Sequence, residues 1–142
     1  MVARVKTGIK GFDKLVAGGF PQGSTILYTG TPGTGKTIFG LEYVYNGWTK
    51  SKEKGCYISF EEGEREIFDQ GKQFGWDLKK LSDAGQVKVI SIPARKINKD
   101  TSQWIIDYCR KEKVRRLVVD SISTLAVNAP IFSIAEKLSV AA

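Results

Sequence analysis

The chain has 142 residues, is 42% hydrophobic and 26% charged, and carries a net charge of +7, the size and balance of a single globular domain that can bury a core without disulfides or metals. Histidine is absent, which excludes a His-based zinc site and a His general base. No apolar run approaches the ~18 residues of a membrane span, and residues 1–10 lack the apolar core of a secretory signal, so no membrane span and a cytoplasmic location are expected.

Short β-rich runs alternate with helical stretches along the chain. Ser24–Thr29 (STILYT) is predicted as an apolar strand running into Gly30. From Thr37 to Trp48, Ile38, Leu41, Val44/Tyr45 and Trp48 recur at helical spacing. Gly55–Phe60 (GCYISF) reads as a second strand, Glu64–Phe74 as a helix ending before Gly75, and Val87–Ile92 as a third strand closed by Pro93. Asp100 or Thr101 can cap a helix with Trp104, Ile105, Tyr108 and Cys109 on one core face. Arg116–Asp120 (RLVVD) is a fourth strand, and Phe132–Val140 a final apolar helix. Strands and helices in this alternation imply an α/β fold: a parallel sheet flanked by helices, joined by right-handed crossovers. The continuous apolar run Leu117-Val118-Val119 suits a strand covered on both faces.

Chemistry concentrates in Gly30-Thr31-Pro32-Gly33-Thr34-Gly35-Lys36-Thr37, which satisfies G-x-x-x-x-G-K-[ST]. Glycines let such a loop curl so that successive N–H groups point at phosphate oxygens, and the following helix turns its positive dipole end to the same anion. Thr31, Pro32, Gly33, Thr34, Gly35, Lys36, Thr37 and Ile38 are the candidate nucleotide-binding residues. Lys36 supplies a mobile charge for the β- and γ-phosphates, and the Thr37 hydroxyl is a candidate Mg²⁺ ligand. Asp120 ends an apolar strand, the Walker B position from which P-loop proteins hold a metal, often through water; Ser121 could help order that shell. Glu61 and Glu62 follow the strand ending at Phe60, where a carboxylate lies on the ligand-binding edge of a parallel sheet and can orient an attacking water. Their other reading is an acidic helix start, together with Glu64 and Glu66.

The remaining features read as structure. Cys56 and Cys109 have no metal-ligand spacing and suit a core. Trp48 and Trp76 are expected to cover apolar surface, and Phe68 could flank an adenine ring. The basic run Arg110, Lys111, Lys113, Arg115 and Arg116 suits a solvated helix end about as well as a nucleic-acid patch; no interleaved aromatic stripe supports nucleic acid.

Together these residues resemble the KaiC-like branch of the RecA superfamily. The resemblance is carried by Thr7-Gly8-Ile9, Gly11-Phe12-Asp13, Leu15, Gly18-Gly19, Pro21 and Gly23-Ser24, then by the P-loop, Tyr57–Glu62, Phe74-Gly75-Trp76-Asp77-Leu78 and Arg116–Ser121. It implies a RecA-type core that binds ATP with Mg²⁺ and assembles as a homo-oligomeric ring or filament. By position, Lys36 and Thr37 would bind phosphate and Mg²⁺, Glu61 would be the catalytic carboxylate with Glu62 its companion, and Asp120 the metal carboxylate. The expected domain is one nucleotide-binding unit, with residues 1–23 as lead-in and 24–142 as sheet and helices. In RecA-type cores the next strand inserts between the P-loop strand and the Walker B strand. The core is therefore expected to be C-terminally incomplete, with Ser24–Thr29 lacking a neighbour and turnover by the chain alone weak or absent. Two alternatives use the same loop: a non-hydrolysing ATP-binding module that signals to or scaffolds protein partners, and a DNA recombination or repair ATPase. ATP over GTP rests on the resemblance.

Overall fold

A computed structural model describes residues 2–31 and 33–126; Pro32 and the helix predicted over 132–140 lie outside the described residues. Arg4–Val5 (β1) and Phe20–Pro21 (β2) form a small antiparallel ribbon. The body of the chain supplies α1 (Lys36–Ser51), β3 (Gly55–Ser59), α2 (Glu64–Lys72), α3 (Leu78–Asp83), β4 (Val87–Ser91), α4 (Thr101–Lys111), β5 (Arg116–Asp120) and α5 (Ile122–Ala126). The strands form a parallel sheet in the order β4-β3-β5.

β3 is central, and all five of its residues are buried. Its side chains alternate between two cores, as the two-residue period of a strand requires. Cys56 and Ile58 pack with Ile105, Ile106 and Cys109 of α4. Tyr57 packs on the other face with Leu41 and Val44 of α1, Ile67 of α2, and Val87 and Val89 of β4. Both cysteines are thus core residues, and burial pushes both thiols up, Cys109 to about 11. Phe68, Trp48 and Trp76 also pack on the α1 side.

Two glycines let α1 lie close to the sheet. A Cβ at Gly40 would sit 2.9 Å from Val118 Cγ1 and 3.1 Å from Tyr57 Cε2, and one at Gly47 2.5 Å from Arg116 Cδ. Arg116 itself is buried at 1% exposure. It donates to the carbonyls of Tyr43 (3.1 Å) and Lys6 (2.7 Å), pairs with Glu53 at 3.3 Å and lies over the Tyr43 ring. It therefore ties the N-terminal lead-in, α1 and β5 together. The same lead-in is held by Asp13, which accepts from the Thr7 N–H and hydroxyl and from the Gly8 N–H, and by Asn46 donating to the Thr7 carbonyl.

Three expectations need correction, and one element is new. Ser24–Thr29 forms no strand among the described residues, and Ile26, Leu27 and Tyr28 are exposed. A strand needs a ladder partner for its N–H and C=O groups, and β5, paired to β3 on one side, has no second neighbour among the described residues. Trp104 is not a core residue: it is 47% exposed and stacks on Tyr108, while Ile105, Ile106 and Cys109 take the buried stripe of α4. Arg116 leaves the basic run for the interior, so the run is not one surface patch. The short helix α3 was not anticipated; it starts at Asp77, whose side chain accepts from the Lys80 N–H.

Candidate nucleotide and metal site

The loop after residue 29 reaches α1 through two left-handed glycines, Gly33 at φ 82° and Gly35 at φ 84°, a conformation that costs glycine nothing. Gly30 is fitted against the Thr34 hydroxyl, which a Cβ there would meet at 2.6 Å. That hydroxyl donates to the Thr31 carbonyl at 2.8 Å, closing the loop on itself. The Lys36 ammonium curls back over the loop and donates to the Gly30 carbonyl at 2.7 Å. Thr31 and Gly33–Lys36 are exposed. Ile38 turns its side chain toward the core on the α1 side, so only its backbone could serve a ligand. Gly35 is the N-cap of α1 and gives no side-chain cap. The first N–H groups of a sixteen-residue helix therefore face the loop without a side-chain acceptor.

Two remote segments converge on the start of that helix. The Thr37 hydroxyl donates to Asp120 Oδ2 at 2.9 Å, across 83 residues of sequence. The Tyr57 hydroxyl donates to the same oxygen at 2.6 Å. Burial first, and then the Asp120 carboxylate, push the Tyr57 phenol far above its ordinary range, so it is a permanent donor. Register explains the meeting: Tyr57 pairs with Val118, and Asp120 lies two residues on along the same face of β5, within reach of an aromatic side chain on the diagonal.

The two glutamates part company. Glu61 Oε1 accepts from the Thr124 hydroxyl at 3.1 Å and the Ser121 hydroxyl at 3.4 Å, so it sits beside the segment that follows Asp120. Ser121 belongs to this hydroxyl cluster, with Ser123 at 2.9 Å and Thr124 at 3.2 Å. Glu62 turns instead to Gln70 of α2, and its backbone is held by Ser59 and Ser91. Phe68 is partly buried and packs against the core cluster under α1. Sequence reasoning missed Tyr57 as a site residue. The available signal was a hydroxyl-bearing ring inside a strand buried on both faces, where that hydroxyl needs a partner.

A loop with two left-handed glycines, a lysine, a hydroxyl and a carboxylate now stand at one end of the sheet. The family model described as "ATPase: KaiC" matches residues 5–132. The chain belongs to the KaiC ATPase family. Among the relatives of this KaiC-family chain, the circadian clock oscillator protein KaiC of Parathermosynechococcus lividus is 38% identical over 133 residues, covering 87% of this chain and 25% of the relative. The UPF0273 protein PH0284 of Pyrococcus horikoshii is 34% identical over 146 residues, covering 92% of this chain and 59% of the relative. A solved structure, the KaiC-like protein PH0186 of Pyrococcus horikoshii OT3, superposes with a TM-score of 0.80 at 34% identity, over 97% of this chain and 61% of that one. The fold is accordingly the RecA-type P-loop α/β fold of KaiC-like proteins. The chain spans between a quarter and three fifths of the length of these relatives. No helix among the described residues is long and apolar enough to cross a membrane.

Proposed function

We propose that this KaiC-family domain binds ATP with Mg²⁺ at the loop of residues 30–37 and hydrolyses it with Glu61 as the water-orienting carboxylate. The bond from Thr37 to Asp120 carries the reading. By donating its proton to Asp120, the Thr37 hydroxyl keeps its lone pairs for a cation, and the carboxylate beside it supplies a second hard oxygen. Oxygen donors of this kind fit Mg²⁺, which keeps several waters and takes the rest of its shell from phosphate. When bound, the ion would neutralise charge on the phosphates.

The chain's own residues would do the rest. The uncapped N–H groups of α1 and the loop amides cradle the triphosphate. Lys36 exchanges its bond to the Gly30 carbonyl for phosphate oxygens, a charge-assisted contact. Glu61 stands beside Ser121 and Thr124, at the end of the sheet where Asp120 closes its strand, and there accepts a proton from the attacking water as the water oxygen bonds to the γ-phosphorus and the bond to the β,γ-bridging oxygen breaks, releasing ADP and phosphate. Glu62, held by Gln70, supports the loop that carries Glu61. Assembly as a ring or filament goes with this reading. A cation from a neighbouring copy would then complete the site, and turnover by the chain alone would be slow.

Calorimetry with Mg·ATP tests the binding. Lys36→Ala should weaken it by about 10–100-fold, the worth of one charge-assisted contact. Glu61→Gln should leave binding within a few-fold while lowering phosphate release by about 10²–10⁴. A wild-type chain that binds no Mg·ATP refutes the reading. Phosphate release unchanged by Glu61→Gln would remove hydrolysis at Glu61 and leave a binding module.

A further inference from the structure

The Thr37–Asp120 pair rests on a third side chain that neither motif contains. We propose that Tyr57 is a positioning residue for the metal site: its hydroxyl fixes the Asp120 carboxylate so that Oδ1 and the Thr37 hydroxyl oxygen are presented together to a divalent cation. This inference rests on the Mg²⁺–nucleotide reading above.

Three observations carry it. Among the described residues, the two hydrogen bonds to the Asp120 side chain, from Tyr57 at 2.6 Å and from Thr37 at 2.9 Å, both fall on Oδ2. A carboxylate pinned by two donors on one oxygen cannot rotate freely, and its other oxygen is left to a ligand. The Tyr57 ring is itself immobile. It has no exposed surface, lies under α1 with Cε2 3.1 Å from where a Gly40 Cβ would stand, and is flanked in register by Val89 and Val118. The contact at Gly40 also fixes how closely α1 approaches β3 and β5, and Thr37 lies three residues before Gly40 on that helix. One ring therefore sets the orientation of the carboxylate and, through the helix packed on it, the distance of the hydroxyl. Partners of this kind behind a ligand carboxylate typically govern metal affinity by about 10–100-fold.

The test is Tyr57→Phe, which removes the hydroxyl and keeps the ring. Affinity for ATP in EDTA should match wild type. Affinity of the protein–ATP complex for Mn²⁺, followed by the loss of the free-ion electron paramagnetic resonance signal, should fall about ten-fold or more. A purely structural hydroxyl would lower stability but leave the Mn²⁺ titration in place. Asp120→Asn and the double variant complete a cycle: if Tyr57 acts through Asp120, adding Tyr57→Phe to Asp120→Asn changes Mn²⁺ affinity little further. Folded Tyr57→Phe protein with Mn²⁺ affinity within two-fold of wild type overturns the positioning role alone, as do fully additive effects in the cycle. A wild-type chain that binds neither ATP nor Mn·ATP overturns the underlying reading and this inference with it.

Discussion

Gly47→Ala sets helix propensity against packing, and the structure decides the sign. In a helix interior, Gly to Ala is worth about 1 kcal/mol of stabilisation. At Gly47, however, the new Cβ would stand 2.5 Å from Arg116 Cδ and 2.8 Å from its Nε. Arg116 is not the loose end of a surface side chain: it is 1% exposed and held by the carbonyls of Tyr43 and Lys6 and by Glu53. Overpacking of this kind costs about 1–3 kcal/mol, and weakening one bond of a buried guanidinium adds about 1.5–3 kcal/mol. Set against the propensity gain, the net loss is about 1.5–5 kcal/mol, or roughly 5–17 °C in Tm for a chain of this length. Urea unfolding and thermal melts followed by circular dichroism measure it. Thr49→Ala, on the exposed side of the same helix with its hydroxyl on the Tyr45 carbonyl, serves as control and should stay within about 0.5 kcal/mol of wild type. A Gly47→Ala protein as stable as wild type, or more so, would refute the argument that Arg116 is immobile.

The pH response of the lead-in should depend on Asp13. Burial raises its carboxyl, but the bonds from Thr7 and Gly8, with Arg116 nearby, outweigh that and hold it below its usual 3.8. A depressed carboxylate adds stability above its unfolded value and loses it as pH falls through the folded one. Asp13→Asn should therefore cost about 1–2 kcal/mol near neutrality, with the gap to wild type closing only below about pH 4; a constant gap down to acid unfolding would contradict this. The cysteines give a second test. Cys56 and Cys109 are buried with raised thiol values, so a thiolate-seeking reagent should label the native chain far more slowly than the urea-unfolded chain. Equal rates would show that the α4 side of the sheet opens.

The most legible parts of this chain are those whose physics is local. In the loop of residues 30–37, Gly33 and Gly35 take the left-handed backbone that few other residues adopt cheaply, and that much follows from its spelling. The alternation of Cys56, Tyr57 and Ile58 between two cores follows from a run with no polar break. Where partners come from far away, the sequence is less explicit. Ser24–Thr29 has the composition of a strand, yet strand formation depends on a neighbour, and composition does not say whether one is at hand. Trp104 fits the same helical stripe as Cys109, but a ring that size also covers surface by stacking on Tyr108. Arg116 sits among five basic residues, and only the absent side chain at Gly47 opens the interior to it.

The Thr37–Asp120 pair shows how the two kinds of information combine. Thr37 and Asp120 each belong to a readable motif, but neither motif sets the distance between them. That distance depends on how far α1 stands from the sheet, which Gly40 and Gly47 set by presenting no side chain to Val118, Tyr57 and Arg116. Each glycine weakens the helix by about 1 kcal/mol relative to alanine, and each is matched by a close contact, Gly40 with Val118 and Tyr57 and Gly47 with Arg116. The same approach brings a hydroxyl in the first turn of α1 to a carboxylate at the end of β5. The glycines inside α1 thus serve the site as directly as those in the loop, by closing a helix–sheet gap rather than by bending the chain.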